Sequence, residues 1–424
     1  MTKKLLIGMA LCLASAATIQ AQSACNGLRY RDFVFQDTTI SNIVYGSNQS
    51  FNNSNTSLRL DVHMPKNDTV TNRPLIILAH GGNFLSGSKT GGDVIQFCND
   101  LSQMGYVVAS IDYRVGMTNF PFPGPDSTDA TEAVMRAVQD AKAAVRFFKK
   151  DYATQGNTYG VDTANIYFMG VSAGGFMALH VAYLDEPNEF PSWADTTNQP
   201  GLSGGIEGNS GNPGYSSNVR AVINIAGALG DTAWINSGDE PVLNFHGTAD
   251  QTVPYGSATI VLLGTYPLLT VHGSASIDTR VDQLGITNCF EIHEGQGHVP
   301  HVSSAAYYDT TLVITRNFLV HFICGDQLDC GWSNPIGMQE LPALRSVLDV
   351  YPNPATAEFT VNTGRLAGND YSIEVYDATG KLFRRQRAEA DGTTTLTTQG
   401  WVSGMYMITV RNATQQYTQR VIVK

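Results

Sequence analysis

Between residues 74 and 323 the chain repeats one unit: a short, continuously apolar run, then a stretch with apolar residues every three or four positions. Residues 74–79, 105–111, 165–169, 219–225, 241–245 and 289–293 read as strands. Residues 93–104, 127–152, 173–184 and 303–323 read as helices. The longest of these, 127–152, places apolar residues at 134, 138, 141, 145 and 148, the period of an α-helix. Strands that are apolar on both faces and joined through helices predict an α/β fold, a mostly parallel sheet flanked by helices on both sides. Residues 186–218 break the rhythm with Gly, Ser, Asn and Pro. They carry too little apolar surface for a core element and read as a long loop, together with 114–126 a candidate for shaping a pocket.

Past residue 346 the texture changes. Residues 359–361, 371–376, 404–410 and 417–423 are short alternating runs with no helical period, and 377–380 is a turn signal. They predict a small C-terminal all-β sandwich over 347–424, reached through a linker at 331–346. The charge divides similarly. Nine basic and seven acidic residues lie from 345 onward, leaving 17 basic against 30 acidic before it. A net charge of −11 excludes nucleic acid and anionic membrane surfaces as natural partners.

The first 21 residues explain themselves. Lys3 and Lys4 precede an apolar run from Leu5 to Ala17 and a small residue, Ala21, at the expected cut. This is the pattern of a signal peptide, and the run is too short to span a bilayer as a transmembrane anchor. Gln22 stands where a lipobox wants an aliphatic residue, which argues against a lipid on Cys25. Export implies an oxidising compartment. Of the five cysteines beyond the signal, Cys98 lies in a helical-period stretch and is expected to pack as a small hydrophobe. Cys25, Cys289, Cys324 and Cys330 could form two bridges in any of three connectivities.

The chemistry concentrates in three places. Gly170-Val171-Ser172-Ala173-Gly174-Gly175 follows a strand and opens a helix, the context of a nucleophile elbow with Ser172 exposed on a sharp turn. His80-Gly81-Gly82-Asn83-Phe84 follows the strand at 74–79 and matches an oxyanion loop of the HGGG type. By that pattern the oxyanion hole would be built from the amides of Gly82, Asn83 and Ala173. His80 is then expected to brace the loop. Asn83, where the pattern has a third glycine, is expected to narrow the acyl side through its Cβ.

A serine nucleophile needs a base and an orienting acid, in the order Ser, Asp/Glu, His. Asp250 follows a strand in His246-Gly247-Thr248-Ala249-Asp250, whereas Asp231, Asp239 and Glu240 do not sit at the carboxyl end of a strand. His298 lies in a loop after another strand; His246, His293 and His301 compete with it for the base. The catalytic set expected is therefore Ser172, Asp250 and His298. The chemistry requires no metal and no organic cofactor, and His293, His298 and His301 lack a recognisable zinc spacing.

With these residues in order, the chain from about 57 to 323 resembles the α/β-hydrolase fold, in the esterase/lipase branch related to hormone-sensitive lipase and bacterial feruloyl esterases. The resemblance also draws on Ile111-Asp112-Tyr113-Arg114 and Gly297-His298. It implies a secreted serine carboxylic-ester hydrolase working through an acyl-enzyme, with a small or polymer-borne ester as substrate, acyl or feruloyl esters of polysaccharides among them. The domain expected for it is 22–330. No helical cap domain precedes residue 74, which disfavours long lipid chains. A peptidase of the prolyl-oligopeptidase type shares the fold, but no propeller-sized domain fits before residue 74. A non-catalytic adhesin has no need of this ordered set.

Residues 350–355, 375–381, 404–406 and 420–424 resemble the type IX secretion C-terminal sorting domain. That implies the type IX secretion machinery as a partner, and a secreted or cell-surface protein exported through the periplasm. A carbohydrate-binding sandwich is the rival, but Trp401 is the only Trp in this stretch.

Overall fold

The computed structural model describes residues 25, 27–189, 193, 199–331, 348–363, 371–377, 381–388, 392–412 and 416–424. The expected signal segment 1–21 and all but the first residue of the expected linker 331–346 lie outside them. The chain divides into two compact units, residues 1–333 and 334–424.

The first unit runs β1 (Asp37–Gln49), β2 (Asn55–Pro65), β3 (Arg73–Ala79), α1 (Ile95–Gln103), β4 (Val107–Ile111), α2 (Ser127–Thr154), β5 (Val161–Val171) and α3 (Ala173–Tyr183). It continues with β6 (Ala221–Ile225), β7 (Ala228–Leu229), β8 (Val242–Gly247), β9 (Ser257–Leu262), β10 (Tyr266–Gly273), α4 (Ser274–Leu284), β11 (Asn288–His293) and α5 (Ala305–Cys324). Eight strands form one sheet in the order β1-β2-β4-β3-β5-β6-β8-β11. β2 is antiparallel to β1 and β4, and from β4 to β11 every pair is parallel.

β3 shows why these runs become central strands. All seven of its residues are buried. Leu75, Ile77 and Ala79 join the apolar cluster that also holds the inner faces of α2, α3 and α4, so the alternate residues Ile76 and Leu78 face the other side of the sheet. α1 and α5 pack on each other, with the rings of Phe97 and Tyr308 stacked 4.6 Å apart and the Tyr308 hydroxyl donating to Asp100 at 2.8 Å. α2 starts at a reciprocal cap. Asp126 accepts from the amides of Thr128 and Asp129, and the Asp129 carboxylate accepts from the amide of Asp126.

Two disulfides select one of the three connectivities: Cys25–Cys324 and Cys289–Cys330. The first ties the segment before β1 to the last turn of α5, and the second ties β11 to the stretch beyond that helix. Cys98 is a free thiol on the buried face of α1, and burial pushes its pKa up to about 12, which leaves it an inert packing residue. Among the described residues no helix is long and apolar enough to cross a membrane.

The second unit consists of antiparallel sheets. β12 (Asp349–Tyr351), β13 (Glu358–Asn362) and β16 (Thr393–Thr397) form one; β15 (Leu382–Arg387), β14 (Ser372–Tyr376), β17 (Gly404–Arg411) and β18 (Gln416–Val423) form the other. They share a core of Phe359, Val361, Ile373, Val375, Leu396, Ile408, Val410 and Val421. Trp401 packs edge-on against Phe359 and Phe383 at the margin of that core, as a structural aromatic.

Candidate active site

Ser172 sits between the end of β5 and the start of α3, at φ 55 and ψ −115. A non-glycine residue there is strained by about 1–3 kcal/mol, so neighbours must hold it. Its amide donates to the Ile225 carbonyl of β6 at 2.8 Å, and its carbonyl accepts from Phe176 at 3.1 Å. The glycines of the motif have a steric reason. A Cβ on Gly170 would collide with the carbonyl of Gly174, and one on Gly174 with the carbonyl of Ala79. The turn is therefore tight enough to put the Ser172 hydroxyl at the carboxyl ends of the strands, above the N-terminus of α3.

His298 reaches this hydroxyl from the loop after β11, its Nε2 2.8 Å from Ser172 Oγ. Its Nδ1 lies 2.6 Å from Asp250 Oδ2. Asp250 is fully buried at its side chain, and its Oδ1 accepts from the amides of Thr252 at 2.8 Å and Val253 at 3.0 Å. Burial alone would raise the pKa of this carboxyl. Hydrogen bonds from His246 and His298, the charge of His298 and the backbone amide outweigh it and hold the group well below the usual carboxylate range. The two loops are knitted together. Ala249 donates to the Gln296 carbonyl at 2.9 Å, Thr248 to that of His293 at 3.2 Å, and Gly295 to the Thr248 hydroxyl at 2.8 Å. The structure thus brings Ser172, His298 and Asp250 into one hydrogen-bonded chain, with both imidazole nitrogens engaged.

The competing residues lie elsewhere. Asp231 caps a short turn, accepting from the Ala233 amide, and Asp239 accepts from the Asn236 amide before β8. Glu240, pushed up to about 7 by burial, lies beside Asp239. His293 ends β11 against the ring of Tyr307, and His301 sits in a 3-10 turn against Phe97. Burial drives both down to about 4. His246 is behind Asp250 and does not touch Ser172. Its Nδ1 lies 2.8 Å from Ser274 Oγ and its Nε2 3.1 Å from the Val253 carbonyl.

Of the three expected oxyanion donors, Asn83 and Ala173 line a pocket together with Ser172, and Gly82 does not. Gly82, Asn83 and Phe84 all have positive φ, at 122, 55 and 58. This turn folds Asn83 over the elbow while the Gly82 carbonyl accepts from Leu85 and Ser86. His80 braces the turn. Its Nδ1 is 2.6 Å from the Gly81 carbonyl, its ring stacks on Tyr113 at 4.3 Å, and the Tyr113 hydroxyl donates back to the His80 carbonyl.

The pocket beside Ser172 is apolar, lined by Phe84, Met117, Val134, Phe176, Val253 and four residues of the β9–β10 hairpin. Among the described residues of loop 186–218 none lines it, and 190–192 and 194–198 lie outside those described, while Met117 keeps the share expected of 114–126. The described part of that loop packs against the other side of α2. Gly201 and Ser210 bind the buried Arg114–Asp140 pair, and Glu207 binds Lys142 and Arg146. The hairpin went unread because its strands do not alternate cleanly.

Comparison with known proteins agrees with this architecture. Residues 60–229 match the BD-FAE family, and residues 349–424 match the secretion system C-terminal sorting domain. A probable isoprenylcysteine alpha-carbonyl methylesterase of Arabidopsis thaliana is 33% identical over 120 residues, 28% of this chain and 21% of that protein. Esterase-5A of Drosophila persimilis is 29% identical over 131 residues, 30% of this chain and 21% of that protein. The chain thus spans about a fifth of the length of these two curated relatives. Thermogutta terrifontis esterase 2 phosphorylated by paraoxon is 23% identical in sequence, with a TM-score of 0.47, over 70% of this chain and 98% of that one. The chain thus joins an α/β-hydrolase domain, similar to the BD-FAE family over residues 60–229, to a C-terminal segment that matches the secretion system sorting domain over 349–424.

Proposed function

We propose that the protein is an exported serine esterase, with Ser172 as nucleophile, His298 as base and Asp250 as the acid that orients it. The observation that carries this reading is the unbroken chain Asp250 Oδ2–His298 Nδ1, His298 Nε2–Ser172 Oγ, at 2.6 and 2.8 Å, beside an apolar pocket. His298 takes the hydroxyl proton as Ser172 Oγ bonds to the ester carbonyl carbon. The carbonyl oxygen becomes an oxyanion facing the amides of Asn83 and Ala173, each such donor being worth roughly 3 kcal/mol. His298 then gives the proton to the departing alcohol, leaving an acyl-serine. A water, deprotonated by the same imidazole, attacks this ester and restores Ser172. Acetyl groups on polysaccharide are fitting substrates, since a flexible polymer can present a small acyl ester to an elbow of this kind. The sorting domain directs the chain outward, through the type IX machinery by way of the periplasm.

The test is hydrolysis of p-nitrophenyl acetate, methyl ferulate and acetylated xylan by the wild type and by Ser172→Ala. Loss of at least a thousandfold in the variant, with its melting temperature retained, supports the reading. Activity within tenfold of wild type overturns it.

A further inference from the structure

The β9–β10 hairpin lies between the acid, Asp250, and the helix α4, and with β7 forms a small sheet of its own. Its pairing contains an irregularity. Val261 pairs with Pro267 and Thr259 with Thr270, so the single residue Ile260 stands opposite two, Leu268 and Leu269. That is a β-bulge, which turns consecutive side chains toward one face of a strand where regular pleating would send them to opposite faces. Here Leu268 and Leu269 both line the pocket, with Ile260 and Leu262 from β9, while Val261 between them is 48% exposed.

The hairpin is held in place from both ends. The Tyr266 hydroxyl donates to the Pro121 carbonyl at 3.0 Å, and the Gly273 amide donates to the Gly256 carbonyl at 2.7 Å. It is also tied to the acid, because Thr252 and Val253, whose amides hold Asp250, line the same pocket.

Which half of an ester this pocket takes follows from its lining. It contains Ser172, Asn83 and Ala173, the nucleophile and two of the three expected oxyanion donors, and not His298. The alcohol must leave beside His298, which protonates it, so the pocket takes the acyl chain. Its volume is about 50 Å³, the space of roughly four waters at about 10–15 Å³ each on this measure. A methylene is close to a water in size. Resting on the esterase reading above, we infer that the bulged hairpin measures the acyl group and admits chains of about two to four carbons, with Ile260, Leu268 and Leu269 as the limiting side chains.

The experiment compares kcat/KM for p-nitrophenyl acetate, butyrate and octanoate in the full-length wild type, Ile260→Ala, Leu268→Ala and Val261→Ala. The wild type should lose at least tenfold from butyrate to octanoate. Ile260→Ala and Leu268→Ala should each raise the octanoate-to-acetate ratio about tenfold, and Val261→Ala, facing outward, should leave it unchanged. Ile260 and Leu268 are both half-buried, so truncation there is tolerated, and either variant alone decides the matter. Turnover of octanoate equal to butyrate in the wild type, or an unchanged ratio in the enlarged variants, overturns the inference and leaves the esterase reading standing. No turnover of any ester by the wild type overturns both.

Discussion

Nε2 of His246 lies 3.4 Å from Oδ2 of Asp250, the same oxygen that His298 holds at 2.6 Å. The neighbours of His246 fix its tautomer. Nε2 faces only acceptors, the Val253 carbonyl and the Asp250 carboxylate, so it carries the proton. Nδ1 then accepts from Ser274 Oγ, which in turn accepts from Asn224 Nδ2 at 3.2 Å. Asn224 also donates to Asn244 on β8 at 2.9 Å. The acid is thus anchored to a buried polar network that crosses from β6 to β8 and α4.

The expected effect of His246→Ala is a fall in kcat of about tenfold with a smaller change in KM, and a lower melting temperature from the cavity. His246→Gln keeps an N–H that can reach Asp250 and should recover most of the lost kcat. A purely structural role would leave the two variants equally slow.

Asp250 and Asp239 bracket β8, one after it and one before it. In a parallel sheet this places them at opposite ends, and only the carboxyl end carries Ser172. Asp250→Asn should lower kcat by about 10³–10⁴, because an amide no longer favours the tautomer that accepts the serine proton. The Thr252 and Val253 amides still have an oxygen to bond, but the carboxylate charge that stabilises the fold above pH 3.8 is gone, so its melting temperature should fall as well. Asp239→Asn should leave kcat within twofold. Side-by-side kinetics showing the reverse would reassign the acid.

Much of this was legible in the sequence because the buried strands are apolar on both faces and the elbow needs its glycines. β3, β4, β5, β6, β8 and β11 each fall within two residues of the expected runs, apart from an early start to β5. What escaped has a physical reason. β1 is mostly exposed, so its side chains carry no core-facing pattern. β9 and β10 cover one pocket in a small sheet, and the bulge places Leu268 and Leu269 side by side, which breaks the period-two signal. Ser274 was invisible as the partner of His246, and Asn224 as that of Ser274, because nothing local marks a polar residue that is satisfied 28 or 50 positions away.

The two disulfides should matter unequally. Cys25–Cys324 closes a separation of 299 residues and Cys289–Cys330 one of 41. In the loop-entropy account the longer loop is worth about 6 kcal/mol and the shorter about 4 kcal/mol. Cys25→Ser/Cys324→Ser should therefore lower the melting temperature at least as far as Cys289→Ser/Cys330→Ser. Reductant should lower that of the wild type and leave a variant lacking both bridges unchanged. Cys98→Ala should resemble wild type in either condition, since its thiol takes part in neither bridge. A wild-type melting temperature indifferent to reductant would count against both bridges.

Acid should destabilise the hydrolase unit through three buried histidines. Burial drives His180, His293 and His301 from 6.5 down to about 4. Above pH 6.5 each is neutral whether the chain is folded or not, and contributes nothing to the pH dependence. As pH falls below 6.5 the unfolded chain takes up protons that the folded chain refuses, so stability declines, and the decline ends near pH 4 where the folded protein titrates too. Each histidine contributes a slope of up to about 1.4 kcal/mol per pH unit in that window. Asp250 acts in a lower range. Its depressed pKa supplies stability that is present above pH 3.8 and lost only in stronger acid. Replacing His293, whose ring lies between Phe245 and Tyr307, by Phe removes one titrating group and keeps an aromatic there. Denaturant unfolding at pH 7, 6, 5 and 4.5 should show wild-type stability falling across the series and a shallower fall in His293→Phe. Parallel curves for the two proteins would mean that His293 is not among the groups that set the acid limit.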